Sequence, residues 1–509
     1  MWYTVSKNLI WEINAMSNIG FDNQKYLTTQ SEQIRRRIAM FGGKLYLEFG
    51  GKLFDDYHAS RVLPGFEPDS KMRMLQQLSD DVEIVIAINA ADIERNKVRG
   101  DLGITYDADV LRLIDIFRDL GLYVGSVVMT RWNDQASAVH FKQRLENLGV
   151  KVYRHFNIEG YPYNVKHIVS DAGFGQNEYV ETQRPLVLVT APGPGSGKMA
   201  VCLSQLFQDH QRGIQAGYAK FETFPIWNLP LRHPINMAYE AATANLDDVN
   251  MIDPYHLDAY GISAVNYNRD VEIFPVLSAV FEHIYGSSPY KSPTDMGVNM
   301  VGNCIVDDEA CREASKQEVI RRYFAAKCAL ALAHTTQVEV DRLQRLMHQM
   351  GISPDDRPVV AAARDRETET GAPALAIELP NGRIITGKTS ALLGPSAAVL
   401  LNALKALGGI DENAHLISPT VIEPIQSLKC DYLGNHNPRL HSDEVLVALS
   451  ICAATNKNAA LAMSQLPLLK GCEAHSTVIL PQVDDNIFRR LKVNLTCDAR
   501  YQTHKLYHK

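Results

Sequence analysis

Six short, β-branched-rich runs, separated by segments of helical period, govern what this chain can fold into. They fall at 43–50, 82–89, 123–130, 150–154, 185–190 and 216–222. Between them, 71–78, 109–120 and 138–148 place apolar residues at i, i+3, i+4 and i+7, the stripe of an amphipathic helix. Strands alternating with helices need crossover connections, and crossovers lay the strands parallel with helices covering the sheet. The expectation is an α/β fold with a parallel sheet over residues 16–225. With 509 residues, 46% hydrophobic and 21% charged, the chain can build a sizeable core and two to four domains.

The fifth run leads into the most chemically specific stretch. It continues as Thr190-Ala-Pro-Gly193-Pro-Gly195-Ser196-Gly197-Lys198-Met199, followed by an amphipathic segment. Glycines without Cβ let backbone N–H groups close around an anion, a helix start adds partial positive charge, and a lysine supplies a full one. Gly193, Gly195, Ser196, Gly197 and Lys198 are therefore the expected phosphate-binding residues of a P-loop-like strand-turn-helix. Two positions depart from the nucleotide-binding pattern: Pro192 stands in place of its first glycine, and Met199 in place of its serine or threonine. A thioether does not ligate Mg²⁺, so any metal must be held by phosphate oxygens, water or another side chain. The plain alternative is a tight βα turn with a solvated lysine. From 186 to 222 the stretch resembles the phosphate loop of ligases and synthetases of the dethiobiotin synthetase and formyltetrahydrofolate synthetase type, a resemblance that carries over no catalytic set.

Open α/β sheets gather ligands at the C-terminal ends of their strands, and this selects further residues. Lys220 and Glu222 close the sixth run and are expected there as catalytic groups, a surface ion pair being the alternative. The segment 48–61, after the first run, packs glycines, Lys52, two aspartates, His58 and Arg61 into fourteen residues. Lys52 and Arg61 suit an anionic substrate, with His58 as acid or base; a polar capped turn is the alternative. Asp247, Asp248 and Asp253 lie within seven residues. Asp248 and Asp253 are the candidate Mg²⁺ ligands, against the reading of a capped helix start.

Beyond residue 225 the pattern changes. Residues 226–352 read as mainly helical, with helices at 234–244, 276–285 and 308–348, the last long enough to bridge domains or line an oligomer interface. Residues 353–509 read as a smaller mixed α/β domain, with strands at 359–363, 374–379 and 383–386 and helices at 396–407 and 442–453. Thr386-Gly-Lys388-Thr-Ser390 is a weak second anion turn. Near the helix at 442, His436, Arg439 and His441 admit three readings: a phosphate or carboxylate site, zinc, or a helix cap.

Composition limits the partners. A formal charge of −7 and no basic block argue against nucleic acid. No apolar run reaches the roughly 18 residues of a membrane span. Eight cysteines without a CxxC pair suit reduced thiols in the cytoplasm. Residues 1–15 form an N-terminal extension without a signal-peptide layout, and Met16 is an alternative start. The apolar surface of 308–348 leads us to expect a homo-oligomer.

Three motifs in order, Tyr46-Leu-Glu-Phe-Gly-Gly-Lys-Leu-Phe-Asp-Asp-Tyr-His-Ala-Ser-Arg61, Gly193-Pro-Gly-Ser-Gly-Lys-Met199 and Leu433-Gly-Asn-His-Asn-Pro-Arg-Leu-His441, resemble those of the bacterial family known as domain of unknown function eighteen forty-six. The resemblance covers essentially everything from Ile19 onward. It implies no particular reaction, and the chain has neither HExxH nor a nucleophile elbow. The residues themselves lead to an enzyme that binds ATP, another nucleotide with Mg²⁺, or a different phosphorylated small molecule at 193–198. It would transfer or hydrolyse phosphate, with Lys198, Lys220, Glu222, His58 and Arg61 as its catalytic residues. The rival is an oligomeric scaffold that holds a phosphate ligand without chemistry.

Overall fold

The computed structural model describes residues 19–502 apart from Lys52, Asp55, Gly100, Asp101 and Asp247. The extension 1–15 and Lys52 thus lie outside the described residues. The chain forms two compact units, Ile19–Ala314 and a second that begins at Ser315. Among the described residues, no helix is long and apolar enough to cross a membrane.

In the first unit, α1 (Asn23–Met40) leads to β1 (Leu45–Phe49), α2 (Tyr57–Val62), α3 (Ser70–Gln77) and β2 (Val82–Asn89). There follow α4 (Tyr106–Asp119), β3 (Tyr123–Trp132), α5 (Ala136–Asn147), β4 (Lys151–Phe156) and β5 (Leu186–Thr190). After these come α6 (Lys198–Gln211), β6 (Gly217–Phe221), α7 (Pro234–Ala242), β7 (Asn250–Ile252), α8 (Pro254–Tyr260), β8 (Val265–Tyr267), α9 (Asn268–Tyr285) and β9 (Gly297–Val298). Seven strands make a parallel sheet in the order β4-β3-β2-β5-β1-β6-β9, while β7 and β8 pair as a separate antiparallel ribbon. All eight residues of β2 are buried, as expected of a strand covered on both faces.

Alternation along the strands divides the core in two. Leu45, Leu47, Phe49 and Ile86 pack on one face with α3, α4 and α5, whereas Tyr46, Val85, Val187 and Val189 pack on the other with α6 and α9. The chain leaves β1 and β2 toward the first face and leaves β5, which lies between them, toward the second. Neighbouring strands whose connections depart to opposite faces open a crevice at their C-terminal ends. The glycine turn after β5 occupies that switch point.

In the second unit, α10 (Asp308–Ala331), which starts in the first, is followed by α11 (Gln337–Met350) and α12 (Pro358–Thr370). Then come β10 (Ala374–Glu378), β11 (Ile384–Lys388), α13 (Pro395–Gly408), α14 (Ser442–Ala453), β12 (Glu473–Ser476), α15 (Gln482–Arg490) and β13 (Asn494–Cys497). Its mixed sheet runs β11-β10-β12-β13, with only β12 and β13 parallel.

Three expectations are corrected here. The single helix at 308–348 is two helices, because Ala333 turns left-handed at φ 58° and Thr336 is extended at the start of α11. The strand at 359–363 is the first turn of α12: Pro358 sits at N1, where its fixed φ and missing N–H suit a helix start, and Val359 and Ala363 share one buried face against Ala376. The turn at 386–390 begins inside β11. A Cβ on Gly387 would lie 2.3 Å from the Val399 backbone nitrogen, so this glycine lets α13 approach the strand.

Candidate functional site

The glycine turn is held from the sheet and left open toward solvent. Thr130 Oγ1, near the end of β3, donates to the Ser196 carbonyl at 2.8 Å, and Asn89 Nδ2, at the end of β2, reaches the Gly195 carbonyl at 3.4 Å. Ser196 Oγ closes the turn internally on the Gly193 carbonyl at 2.9 Å. Gly197 is the N-cap of α6 with φ 88°, and a Cβ there would meet Thr130 at 2.9 Å; only glycine takes that backbone without strain. No side chain caps α6. The N–H groups of Gly195, Ser196 and Gly197 find no acceptor among the described residues. Lys198 is half-buried, and its ammonium has no hydrogen-bond or ion-pair partner among them. Open amides, the positive end of a fourteen-residue helix and a free cation make an anion receptor.

A second group of charges stands at the end of β6, two strands from β5. β1 lies between β5 and β6, with Glu48 in register with both Val189 and Lys220. The ends of β5 and β6 are thus two strand spacings, roughly 10 Å, apart. Glu48 and Lys220 project from the same face. Glu48 accepts from Tyr218 Oη at 2.7 Å, while Lys220 Nζ binds Asp270 on α9 and the Tyr267 hydroxyl, and lies 3.3 Å from Glu222 Oε1. Burial opposes the charge on Lys220, but Asp270, Tyr267 and Glu222 together raise its pKa well above the usual lysine value. Glu222 goes the other way for a carboxylate. Its burial and the adjacent Asp270 push it up to about 8 against the pull of Lys220, and Oε1 has no hydrogen-bond partner among the described residues. The site thus pairs a permanent cation with a carboxylic acid that is protonated near neutrality, the form needed of a proton donor.

His58 joins this group through its neighbours. Its ring packs 5.1 Å from Phe224 and 6.2 Å from Tyr239, and the Tyr239 hydroxyl, raised by burial, senses Asp248, Lys220, Glu222 and Asp270. Arg61 is exposed on the same short helix. The two aspartates considered for metal have other work. Asp248 is buried against Arg269 at 2.6 Å. Asp253 caps α8 through the Tyr255 and His256 amides at 3.0 Å each and accepts from Thr294 Oγ1 at 2.6 Å. Both oxygens of Asp253 are therefore committed, matching the capped-helix alternative. No group of three or more His, Cys, Asp or Glu side chains suited to a metal occurs among the described residues.

In the second unit, His441 is the N-cap of α14 and forms a capping box with Glu444, and its ring binds Asp484 at 3.0 Å. Arg439 Nε donates to the Ser390 carbonyl, and His436 is exposed. Of the three readings of this loop, the structure displays the helix cap. Asp270, Tyr267 and Tyr239 belong to no motif. The one available signal was the helical period of 268–285, which Pro275 disguises as a helix beginning at 276.

Comparison with known proteins also divides the chain in two, but at 351–355 rather than at 314, so most of α10 and all of α11 belong to the second compact unit and to the N-terminal family model. Residues 19–351 match the model for domain of unknown function DUF1846, N-terminal, and 355–507 match the corresponding C-terminal model. A UPF0371 protein of Streptococcus pyogenes serotype M3 is 58% identical over 494 residues, covering 97% of this chain and 100% of the relative. A UPF0371 protein of Streptococcus equi subsp. equi is 58% identical over 492 residues, with the same shares covered. The motifs at 46–61, 193–199 and 433–441 lie within the matched ranges, and the chain belongs to the bacterial DUF1846 family.

Proposed function

We propose that the first unit is an enzyme that binds the phosphate of a small molecule on the turn at 193–198 and transfers or hydrolyses it at the adjoining edge. The observation that carries this reading is a glycine turn with open amides and Lys198 at the C-terminal edge of the sheet on which buried Glu222, at the end of β6, shares Lys220 with Asp270. Lys198 and the open amides stabilise charge on the phosphoryl oxygens. An acceptor hydroxyl or water attacks phosphorus, the bond to the leaving oxygen breaks as Glu222 delivers its proton to that oxygen, and the proton of the attacking oxygen passes through solvent to the resulting Glu222 carboxylate. Lys220 and Asp270 hold Glu222 in place. A nucleotide fits this reading with Mg²⁺ held by its own phosphates and water, since Asp248 and Asp253 are engaged elsewhere.

Calorimetric titration with inorganic phosphate, ATP and sugar phosphates, with and without Mg²⁺, tests binding. Lys198→Ala is expected to weaken it by about 1.5–3 kcal/mol, the worth of a hydrogen bond to a charged group. Unchanged affinity in the folded variant removes the proposal. Glu222→Gln should leave binding intact and abolish phosphate release from the substrate that turns over. Met199, in the position of a metal-binding hydroxyl, favours a second reading, a phosphate-binding protein without turnover. Under that reading Lys198→Ala loses binding while no member of the panel is converted.

A further inference from the structure

Beside the turn, on the sheet face that carries Glu48 and Lys220, lies a cavity of about 150 Å³. Tyr161, Met199, Leu203, Ile273, Leu277 and Val280 supply most of its wall, and every lining residue is apolar or aromatic. Its walls belong to the elements that build the site. Met199 directly follows Lys198 on α6. Ile273 lies three residues along α9 from Asp270, on the same side of that helix. The Tyr161 hydroxyl is within electrostatic reach of Glu48 and Arg131, near the ends of β1 and β3, and of Cys202 on α6. The cavity therefore runs along α6 and α9, with Met199, next to Lys198, and Ile273, one turn from Asp270, in its wall.

Its chemistry selects an occupant. Water needs two to four polar partners to settle in a cavity, and an apolar void of this size stays dry and accepts a group as large as benzene. A ribose or sugar ring placed here would leave its hydroxyls unpaired, at a cost in binding. Met199, unsuited to magnesium, is suited to this wall: its thioether adapts to apolar and aromatic partners.

We propose that this cavity is the specificity pocket of the site, and that the natural ligand joins a phosphate to a compact apolar group of about six heavy atoms, an aromatic ring or short hydrocarbon chain. The inference rests on phosphate binding at the turn. It narrows the substrate class from any phosphate ester to the monophosphate of an apolar alcohol or phenol, and moves sugar phosphates out of it.

The test is a titration of the full chain with inorganic phosphate and with methyl, butyl, hexyl and decyl phosphate. Affinity is expected to rise about threefold to fourfold per methylene, the gain from burying each CH₂, and to level off beyond hexyl. Val280→Phe, which fills the cavity, should erase the gain and leave inorganic phosphate unaffected; Leu277→Phe serves if that variant does not fold. Equal affinity across the series for the unmodified protein overturns the pocket and leaves the phosphate reading standing. A chain-length gradient that Lys198→Ala does not weaken overturns the phosphate reading and keeps the apolar subsite.

Discussion

Two glutamates, one in each unit, meet burial in opposite ways. Glu473 in β12 sits between two arginines: Arg321 Nη1 reaches Oε1 at 2.9 Å, Arg357 binds Oε2, and Asn494 Nδ2 adds 2.8 Å to Oε1. Burial disfavours its charge, yet Arg321 and Arg357 hold its carboxyl below the usual range. Glu222 has one cation, Lys220, which it shares with Asp270, and its Oε1, 3.3 Å from that ammonium, accepts no hydrogen bond among the described residues. Two guanidiniums on Glu473, even with Arg321 also bound to Glu318 at 3.0 Å, make a fixed ion network; one ammonium shared by two carboxylates makes a titratable acid. A satisfied network serves folding, and a buried, incompletely satisfied one marks a candidate site.

The largest effect expected from this contrast is on the satisfied side. Arg357 also donates to the Ala474 and Asn494 carbonyls at 3.1 and 2.7 Å. Arg357→Met strips Glu473 of a partner and leaves those carbonyls unpaired, so it should destabilise the second unit by about 3–5 kcal/mol. The described tryptophans, Trp132 and Trp227, are both in the first unit. Chemical denaturation should therefore be followed by far-ultraviolet circular dichroism. A loss under about 1 kcal/mol would break the distinction between the two networks.

Next is the pH dependence of the two carboxyls, which must have opposite signs. Glu222 has a folded pKa near 8, so the folded state holds its proton more tightly than the unfolded chain. Its stabilisation is complete below the unfolded carboxylate value and is lost as pH rises toward 8. The slope is up to about 1.4 kcal/mol per pH unit, and Glu222→Gln should flatten it. Glu473 has a depressed pKa, so its contribution is present at neutral pH and disappears as pH falls below the usual carboxylate range. Denaturation midpoints from pH 4 to 9 for the two glutamine variants check both signs.

Smaller effects sharpen the contrast between open and closed polar groups. Gly197→Ala forces a left-handed alanine and presses a methyl on Thr130. It should cost about 1–2 kcal/mol and weaken phosphate binding through the displaced turn; thermal unfolding and titration measure the two parts. His441 is expected to matter least. Its hydrogen bond to Asp484 raises its pKa despite partial burial, so it stabilises the fold fully below the ordinary imidazole value and loses that as pH rises through the raised one. With His441 a quarter exposed to screening solvent and Asp484 buried, the amount is about 1 kcal/mol, readable as the difference in pH profile between the natural chain and His441→Asn.

The sequence by itself determined the α/β class, all six runs that became β1–β6, the strand-turn-helix at Gly197 and Lys198, and the edge position of Lys220 and Glu222. These are local matters: a two-residue or 3.6-residue period and a glycine between strand and helix show within one window of residues. Tertiary structure decided the rest. Val359 and Ala363 became helical because Pro358 starts a helix whose buried face meets Ala376. The helix from 308 broke at Ala333, a left-handed alanine that no local pattern marks. Asp270 and Tyr267 reached Lys220 only because α9 runs through Pro275 and packs on the sheet, and that contact sets the proton on Glu222. A buried carboxylate takes its charge state from every cation and anion within several ångströms, and those neighbours lie 48 residues further along the chain, at Asp270. Spacing in sequence cannot carry that information; packing does.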